Sequence, residues 1–581
     1  MAFVNTPAFK SFKPTPESIP PPNAVLKLTV PPGTPVHIHP LNPVTFILRA
    51  SQIYPDKLAL SAPEGPNPVF YSYGVWTQRV QNFAYALKKF GIKPGETVAV
   101  IAPNCPMIAD ALQGGLAARV VLCPINTRLQ HHEVEYILEH SQARLILVDH
   151  EYLHLVKGTR IPIVISKDTG RVGDPYETFL GEGRRFSQER GWQGLDVETD
   201  ENAGCLLCYT SGTTGRPKGV LTTLRGSYLA GVGNSSDARM NKDSVYLWLL
   251  PMFHAAGWTY PWAITFSLAS QITLRTVDYP KIWKHFLGSG VTHYCGAPTV
   301  QIGIINDPAA KKPPQPISAI IAGAAPTAHL IGSLESIGIT PVHVYGLTET
   351  YGPFTRSYTH PYWDSMSLED RSKKIARQGH AFSTAGDVRV VYRQDDPNAP
   401  EKAKGGELVD VPKDGKTMGE IITRGNLVMR EYFRDPEATA KAFKGGYFRS
   451  GDLAVWHPDG AVAIMDRSKD IIISGGENAS SLAIEQELAS HPHILEVSVI
   501  ARPHPKWGER PMAFVILHPQ HAGKWRGEKG EKEFEADLKA HARKRLPGFA
   551  CPEWVRVVGE LPKTSTGKIL KTELRKVVAK L

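Results

Sequence analysis

The feature that most limits what this chain can fold into is a series of short apolar runs separated by helical stretches. TVAVIAP (97–103), RLILVDH (144–150), PIVIS (162–166), CLLCYT (205–210), SVYLWLL (244–250), VTHYCGAP (291–298), AIIAG (319–323) and VHVYG (342–346) are too short and too evenly apolar for half-exposed helices. A strand covered on both faces reads this way. Between them run helical patterns: Trp76, Val80, Phe83, Leu87 and Phe90 share one face, with Gly91 where a helix C′ residue belongs, and Val134, Ile137 and Leu138 repeat the spacing. The alternation predicts an α/β chain of βαβ-type parallel sheets, with ligand sites at the carboxyl ends of strands.

A length of 581 residues exceeds one ordinary domain. The proline-rich start (PTPESIPPP, VPPGTP) is read as an extended arm over residues 1–41, outside any core. Residues 42–468 are read as a large N-terminal domain. After about residue 400, Gly/Asp-rich turns separate short strands. VSVIAR, MAFVILH and a helix carrying Phe534, Leu538 and Leu546 then suggest a small α+β domain over 469–581, with the boundary near Lys469. The charge balance, 66 − 56 = +10, is mild for this length. It slightly favours small anionic ligands, and no strip of basic residues interleaved with aromatics argues for nucleic acid. Six cysteines are too few for a disulfide framework, and the pair Cys205 and Cys208 lacks the second pair that a zinc site needs. The N-terminus lacks a secretory pattern. The uncharged stretch Ser244–Leu274 is interrupted by Pro251, His254, Gly257 and Pro261, and reads as strand, loop and buried helix rather than a membrane span.

The most informative segment is YTSGTTGRPKGV (209–220), directly after the strand CLLCYT. Gly212 and Gly215 let backbone N–H groups approach an anion. Thr210, Ser211, Thr213 and Thr214 add hydroxyl donors, and Lys218 adds charge. This chemistry suits a polyphosphate, although the spacing is not that of a Walker A loop.

With LPMFHAAGW, YGLTETYGP, KTMGEIITRGN, DRSKDIIISGGEN and PKTSTGK in the same order, the chain resembles the adenylate-forming superfamily from about Asn42 onward. That superfamily comprises acyl-CoA synthetases, beetle luciferases and peptide-synthetase adenylation domains, and the short- and medium-chain or aryl acyl-activating enzymes look most similar. The resemblance implies a two-step reaction: a carboxylate attacks the α-phosphate of ATP to give acyl-AMP and pyrophosphate, and the thiol of coenzyme A then displaces AMP. A carrier protein in place of coenzyme A is the alternative. In family terms the 209–219 loop holds the β- and γ-phosphates. Tyr345 stacks on adenine beside Gly346 and the small-residue segment Gly323, Ala324, Ala325 and Pro326. Thr348 donates to the α-phosphate, and Glu349 ligates Mg²⁺. Asp452 accepts the ribose hydroxyls and Arg467 supports ribose and phosphate. Lys568 bridges the carboxylate and α-phosphate during adenylation. Lys469 is the hinge about which the small domain turns, bringing Gly475 and Gly476 to the pantetheine path.

His254 and Trp258 resemble the acyl-pocket motif, with His254 shaping the pocket rather than acting as a base. Acetate-restricted relatives carry Trp at the position of Gly346, so glycine implies a deeper pocket and a medium-chain or aromatic acid. Two positions depart from the family pattern: Leu224 replaces a histidine before Arg225, and Glu431 replaces a glycine before Tyr432. The chain ends Ala579, Lys580, Leu581, which resembles a peroxisomal address read by an import receptor.

Overall fold

The structure is a computed structural model describing all residues except 23, 25, 30, 211–215, 324, 325, 468, 476, 565, 566, 580 and 581. It is a mixed α/β molecule with a large N-terminal and a smaller C-terminal part. The first apolar runs form the parallel strands Thr97–Ile101, Val121–Pro124, Leu145–Asp149 and Ile163–Ser166. The hairpin Gly204–Thr210/Lys218–Thr223 and the short strand Glu431–Tyr432 extend this sheet to seven strands. A nine-stranded sheet has a parallel centre from Leu58–Ala62 to Ile339–Leu347 and antiparallel edges. Their strands are buried because helices cover both faces, as continuous apolar runs require. Helix Tyr73–Lys89 is one cover. It is capped at its N-terminus by Ser72 and followed by Gly91 at φ +85°, the left-handed position glycine adopts without strain.

A four-stranded antiparallel sheet ends at Val462–Arg467. The next strand, Ile472–Ser474, already belongs to the five-stranded sheet of the small domain. Helix Gly527–Arg543 presents Phe534 and Leu538 to that domain's core. Leu546 lies beyond the helix end and is only partly buried, so the stripe read from sequence is one residue too long. The Ser244–Leu274 stretch folds as strand Val245–Trp248, a loop with a single helical turn, buried helix Tyr260–Phe266 and strand Ser270–Thr273. Among the described residues no helix is long and apolar enough to cross a membrane.

The proline-rich start is not an arm outside the core. Phe3 is buried and stacks on Phe70 at 5.6 Å, and Phe9 and Phe12 meet the same ring edge-on. Leu28–Thr29 pairs with Leu195–Asp196. Ser18 accepts from Arg79 Nη1 at 3.2 Å. The same buried guanidinium donates to Asp110 Oδ2 at 2.8 Å and Glu177 Oε2 at 2.7 Å. Proline directs local extension, but three spaced aromatic contacts outweigh it by burying surface at ~25 cal/mol per Å².

All six cysteines are buried and none is in a disulfide. Burial pushes the Cys205 thiol up to about 11, which suits a core thiol rather than a reactive one.

Candidate active site

Three adjacent parallel strands, His293–Gly296, Ile317–Ile321 and Ile339–Leu347, end side by side. Their carboxyl ends bring Thr299, Gly323 and Tyr345 through Leu347 to one cavity of about 470 Å³. Asp452 and Arg467 form another wall, while Glu485, Gly567, Lys568 and Lys571 enter from the small domain. A cleft outside strand carboxyl ends is where open α/β sheets bind ligands.

Asp452 and Arg467 face each other across Phe448–Trp456 and Val462–Arg467, with Arg467 Nε 3.5 Å from Asp452 Oδ1. The Tyr345 hydroxyl donates to Asp452 Oδ2 at 2.7 Å. The carboxylate read as a ribose acceptor is therefore already oriented by two groups, and each of its oxygens retains a lone pair. Gly323 sits at φ +89° with open space around it. Pro326 is buried, and Thr327 caps the following helix by accepting from Leu330 N at 3.1 Å. Ala324 and Ala325 lie outside the described residues.

The phosphate-loop segment is flanked by the antiparallel strands Gly204–Thr210 and Lys218–Thr223, with Thr210 paired to Lys218. Ser211, Gly212, Thr213, Thr214 and Gly215 lie outside the described residues. Lys218 Nζ lies 4.8 Å from the centre of the Tyr432 ring, and the Tyr432 hydroxyl donates to Glu349 Oε1 at 2.8 Å. Tyr432, noted from sequence only as the neighbour of a departure, thus connects the loop lysine to the expected metal ligand. The contact joins residues 83 apart, which no local pattern reveals. Glu349 follows Thr348 in the turn after Ile339–Leu347. Burial raises its pKa, against the Tyr432 hydrogen bond. Among the described residues no lysine or arginine pairs with it within 4 Å, although the Arg467 charge favours its ionised form. At the other departure, Leu224 is buried at a helix start capped by Thr223, a packing role.

Lys568 reaches the cavity on a tight hairpin. Thr564 N donates to Lys568 O at 2.7 Å, and Leu570 N to Pro562 O at 2.7 Å. Across the domains, Thr299 Oγ1 donates to the Gly567 carbonyl at 3.1 Å. Burial and the Arg467 charge push the Lys568 ammonium down to about 8, against Asp452 and Asp470. His254 is held near 4, by burial first and by Lys568 second, and so is neutral at ordinary pH. Neither His254 nor Trp258 lines the cavity that Lys568 enters, and Trp258 is a core residue.

Gly346 has a reason to be glycine beyond pocket depth. A Cβ there would lie 1.8 Å from the Gly352 carbonyl oxygen, so any side chain requires strand Gly352–Arg356 to move. Lys469 is exposed between the two sheets, and its carbonyl accepts from Arg575 Nη2 at 3.3 Å. Gly475, at φ +63°, donates its N–H to the Trp507 carbonyl at 2.8 Å and does not line the cavity that Lys568 enters. Gly476 lies outside the described residues.

His491, His493 and Asp537 form a second cluster of metal-ligand types. Both imidazoles accept N–H donors at Nδ1: the His493 backbone at 3.2 Å and the Trp525 indole at 3.1 Å. Metal-bound histidines instead donate from the second nitrogen. The cluster is arranged for packing and hydrogen bonding.

Comparison with known proteins agrees with this geometry. The AMP-binding enzyme family matches residues 48–433, and the AMP-binding enzyme C-terminal domain matches residues 483–568. An acetate/butyrate–CoA ligase, AAE7, peroxisomal, of Arabidopsis thaliana is 37% identical over 94% of this chain and 95% of its own length. A trans-cinnamate:CoA ligase, peroxisomal, of Petunia hybrida is 34% identical over 93% of this chain and 94% of its own. The crystal structure of ATP-bound MatB from Rhodopseudomonas palustris shares the fold, with a TM-score of 0.76 at 23% identity over 92% of this chain and 99% of that one. On these matches, this chain belongs to the AMP-binding enzyme family.

Proposed function

We propose that this protein is an ATP-dependent acid–CoA ligase that forms acyl-AMP and then an acyl-CoA thioester. The observation that carries the reading is Lys568, delivered by the small domain into a cavity shared with Tyr345, Asp452 and Arg467. An ammonium at that point neutralises charge between two anions, a substrate carboxylate and the ATP α-phosphate. A carboxylate oxygen attacks phosphorus, the bond to the bridging oxygen breaks, and pyrophosphate leaves with that electron pair. Such chemistry needs positioning and charge neutralisation more than covalent catalysis. Thr210, residues 211–215 and Lys218 would hold the leaving diphosphate, while Asp452 and Tyr345 would hold the nucleoside. Thr348 would donate to the α-phosphate. Glu349 would hold Mg²⁺, which when bound screens the phosphate charges. In the second step the coenzyme A thiol attacks the acyl carbon, loses its proton, and releases AMP.

The small domain would turn about Lys469 between the steps, withdrawing Lys568 and bringing in Gly475 and Gly476. The domain division at 468/469 is part of this reading, supported by the change of sheet between Arg467 and Ile472. Relatives named for acetate, butyrate and trans-cinnamate favour coenzyme A over a carrier protein as acceptor. Without a tryptophan at 346, a medium-chain or aromatic acid is the proposed substrate, with His254 on its pocket wall. The protein is read as peroxisomal from its Ala579, Lys580, Leu581 end and from relatives whose names carry that address. Lys580 and Leu581, the residues an import receptor would read, lie outside the described residues. The test is pyrophosphate release over a panel of carboxylic acids, with and without coenzyme A. Release with no acid in the panel, or thioester formation only on a carrier protein, would overturn the proposal.

A further inference from the structure

A buried polar chain crosses the presumed hinge. Asp466 precedes it, near the end of strand Val462–Arg467. Its Oδ2 accepts from the backbone N of Ser481 at 2.7 Å and from Ser481 Oγ at 2.6 Å, at the first residue of helix Ser481–Leu488 in the small domain. Next to it, Ser480 donates to the Met465 carbonyl while capping the same helix. The chain continues into the small domain. Lys571 Nζ donates to Ser481 Oγ and lies 2.9 Å from Glu485 Oε1. Glu485 Oε1 also accepts from Val499 N at 2.7 Å and Ser498 Oγ at 3.1 Å. Lys571 is the first residue of helix Lys571–Val578, three residues after Lys568 and at the foot of the Lys568 hairpin.

Asp466, helix Ser481–Leu488, strand Ile494–His504 and Lys571 thus share one largely buried network. Every bond from Asp466 to Ser481 joins residues on opposite sides of Lys469, whereas those among Lys571, Glu485 and Val499 stay inside the small domain. Rotation about Lys469 must stretch the first kind and can preserve the second. A carboxylate out of water is costly when its donors leave, so the network favours one domain arrangement over others.

We infer that Asp466, acting through Ser481 and Lys571, is a positioning residue: a latch that holds the small domain where Lys568 reaches the cavity, and that opens for the second half-reaction. The inference rests on the ligase reading above and concerns residues of the cavity wall to which that reading gives no contact with ATP or the acid. It assigns to Asp466 a role in adenylation alone.

The test separates the half-reactions in full-length variants. Asp466→Ala is expected to slow acyl-AMP formation at least tenfold, with Asp466→Asn, which keeps one acceptor oxygen, falling less. Thioester formation from supplied acyl-AMP should stay within twofold of the parent. Equal loss of both half-reactions, or no loss in either, overturns the latch. Ser481→Ala is a milder second variant that removes only the hydroxyl bonds and should slow only the first step. Hydrogen exchange gives a readout independent of turnover: the Ser481 amide should exchange at least tenfold faster in Asp466→Ala, and unchanged protection would also overturn the proposal. A parent enzyme that releases no pyrophosphate with any acid would refute the ligase reading, while the exchange result would still decide whether Asp466 holds Ser481.

Discussion

Replacing Gly567 with alanine tests the domain contact that presents Lys568. Gly567 sits at φ +84°, and a Cβ there would lie 2.1 Å from Thr299 Oγ1. Two costs follow. A left-handed alanine costs roughly 1–2 kcal/mol in the hairpin itself. Relieving the overlap requires Thr299 to rotate and give up its bond to the Gly567 carbonyl, a loss of about 0.5–1.5 kcal/mol. Together these give roughly 1.5–3.5 kcal/mol, or about a 10- to 300-fold drop in acyl-AMP formation at about 1.4 kcal/mol per tenfold. Thr299→Ala alone removes the hydrogen bond and should cost only a few-fold. The double variant should be faster than Gly567→Ala, because the overlapping oxygen is gone and the remaining neighbours, Thr299 Cβ at 3.4 Å and Ala297 Cβ at 3.7 Å, are in ordinary contact. This non-additivity is what contacting residues produce and distant ones do not. The assay is single-turnover pyrophosphate release, with thioester formation from supplied acyl-AMP as the control. Gly567→Ala within threefold of the parent, or a double variant slower than either single, would refute the contact.

Three further outcomes follow from the same geometry. Lys568→Ala should abolish acyl-AMP formation and spare thioester synthesis from supplied acyl-AMP, whereas equal loss in both steps would remove the domain-alternation role. Because Lys568 titrates near 8 in the substrate-free site, charged below and neutral above, kcat/KM for adenylation should fall as pH rises past that value; a flat profile to pH 10 in enzyme that remains folded would contradict it. Arg79→Met should destabilise the fold by ~3–5 kcal/mol, read as a lowered urea midpoint, because it leaves Asp110 and Glu177 buried without their cation; a shift under 1 kcal/mol would show that the network is not holding the N-terminal segment.

Much of the architecture was readable along the chain. Parallel strands covered on both faces leave unbroken apolar runs, and TVAVIAP, RLILVDH and AIIAG each became a central strand. The segment 209–220, YGLTE and PKTSTGK stood out in the sequence because turn residues and charged groups of that kind are recognised from a few consecutive positions. The N-terminal segment misled, since its prolines report local extension while Phe3, Phe9 and Phe12 report a partner, Phe70, far along the chain. Gly346 was read as empty space in a pocket, and its nearest obstacle proved to be the backbone of the neighbouring strand. Asp466 opens the motif DRSKDIIISGGEN and Tyr432 follows the departure at Glu431, but nothing nearby in the sequence names their partners Ser481 and Glu349.

The order of residues was enough to specify which segments become the central strands and their covering helices, because periodicity and turn preference act within a dozen residues. Which of those side chains meet was settled by packing. Thr299 and Gly567 are 268 residues apart, and Tyr345 and Asp452 are 107 apart. Contacts over such separations form only once loop closure and core burial have fixed the layers, and no local pattern records their outcome.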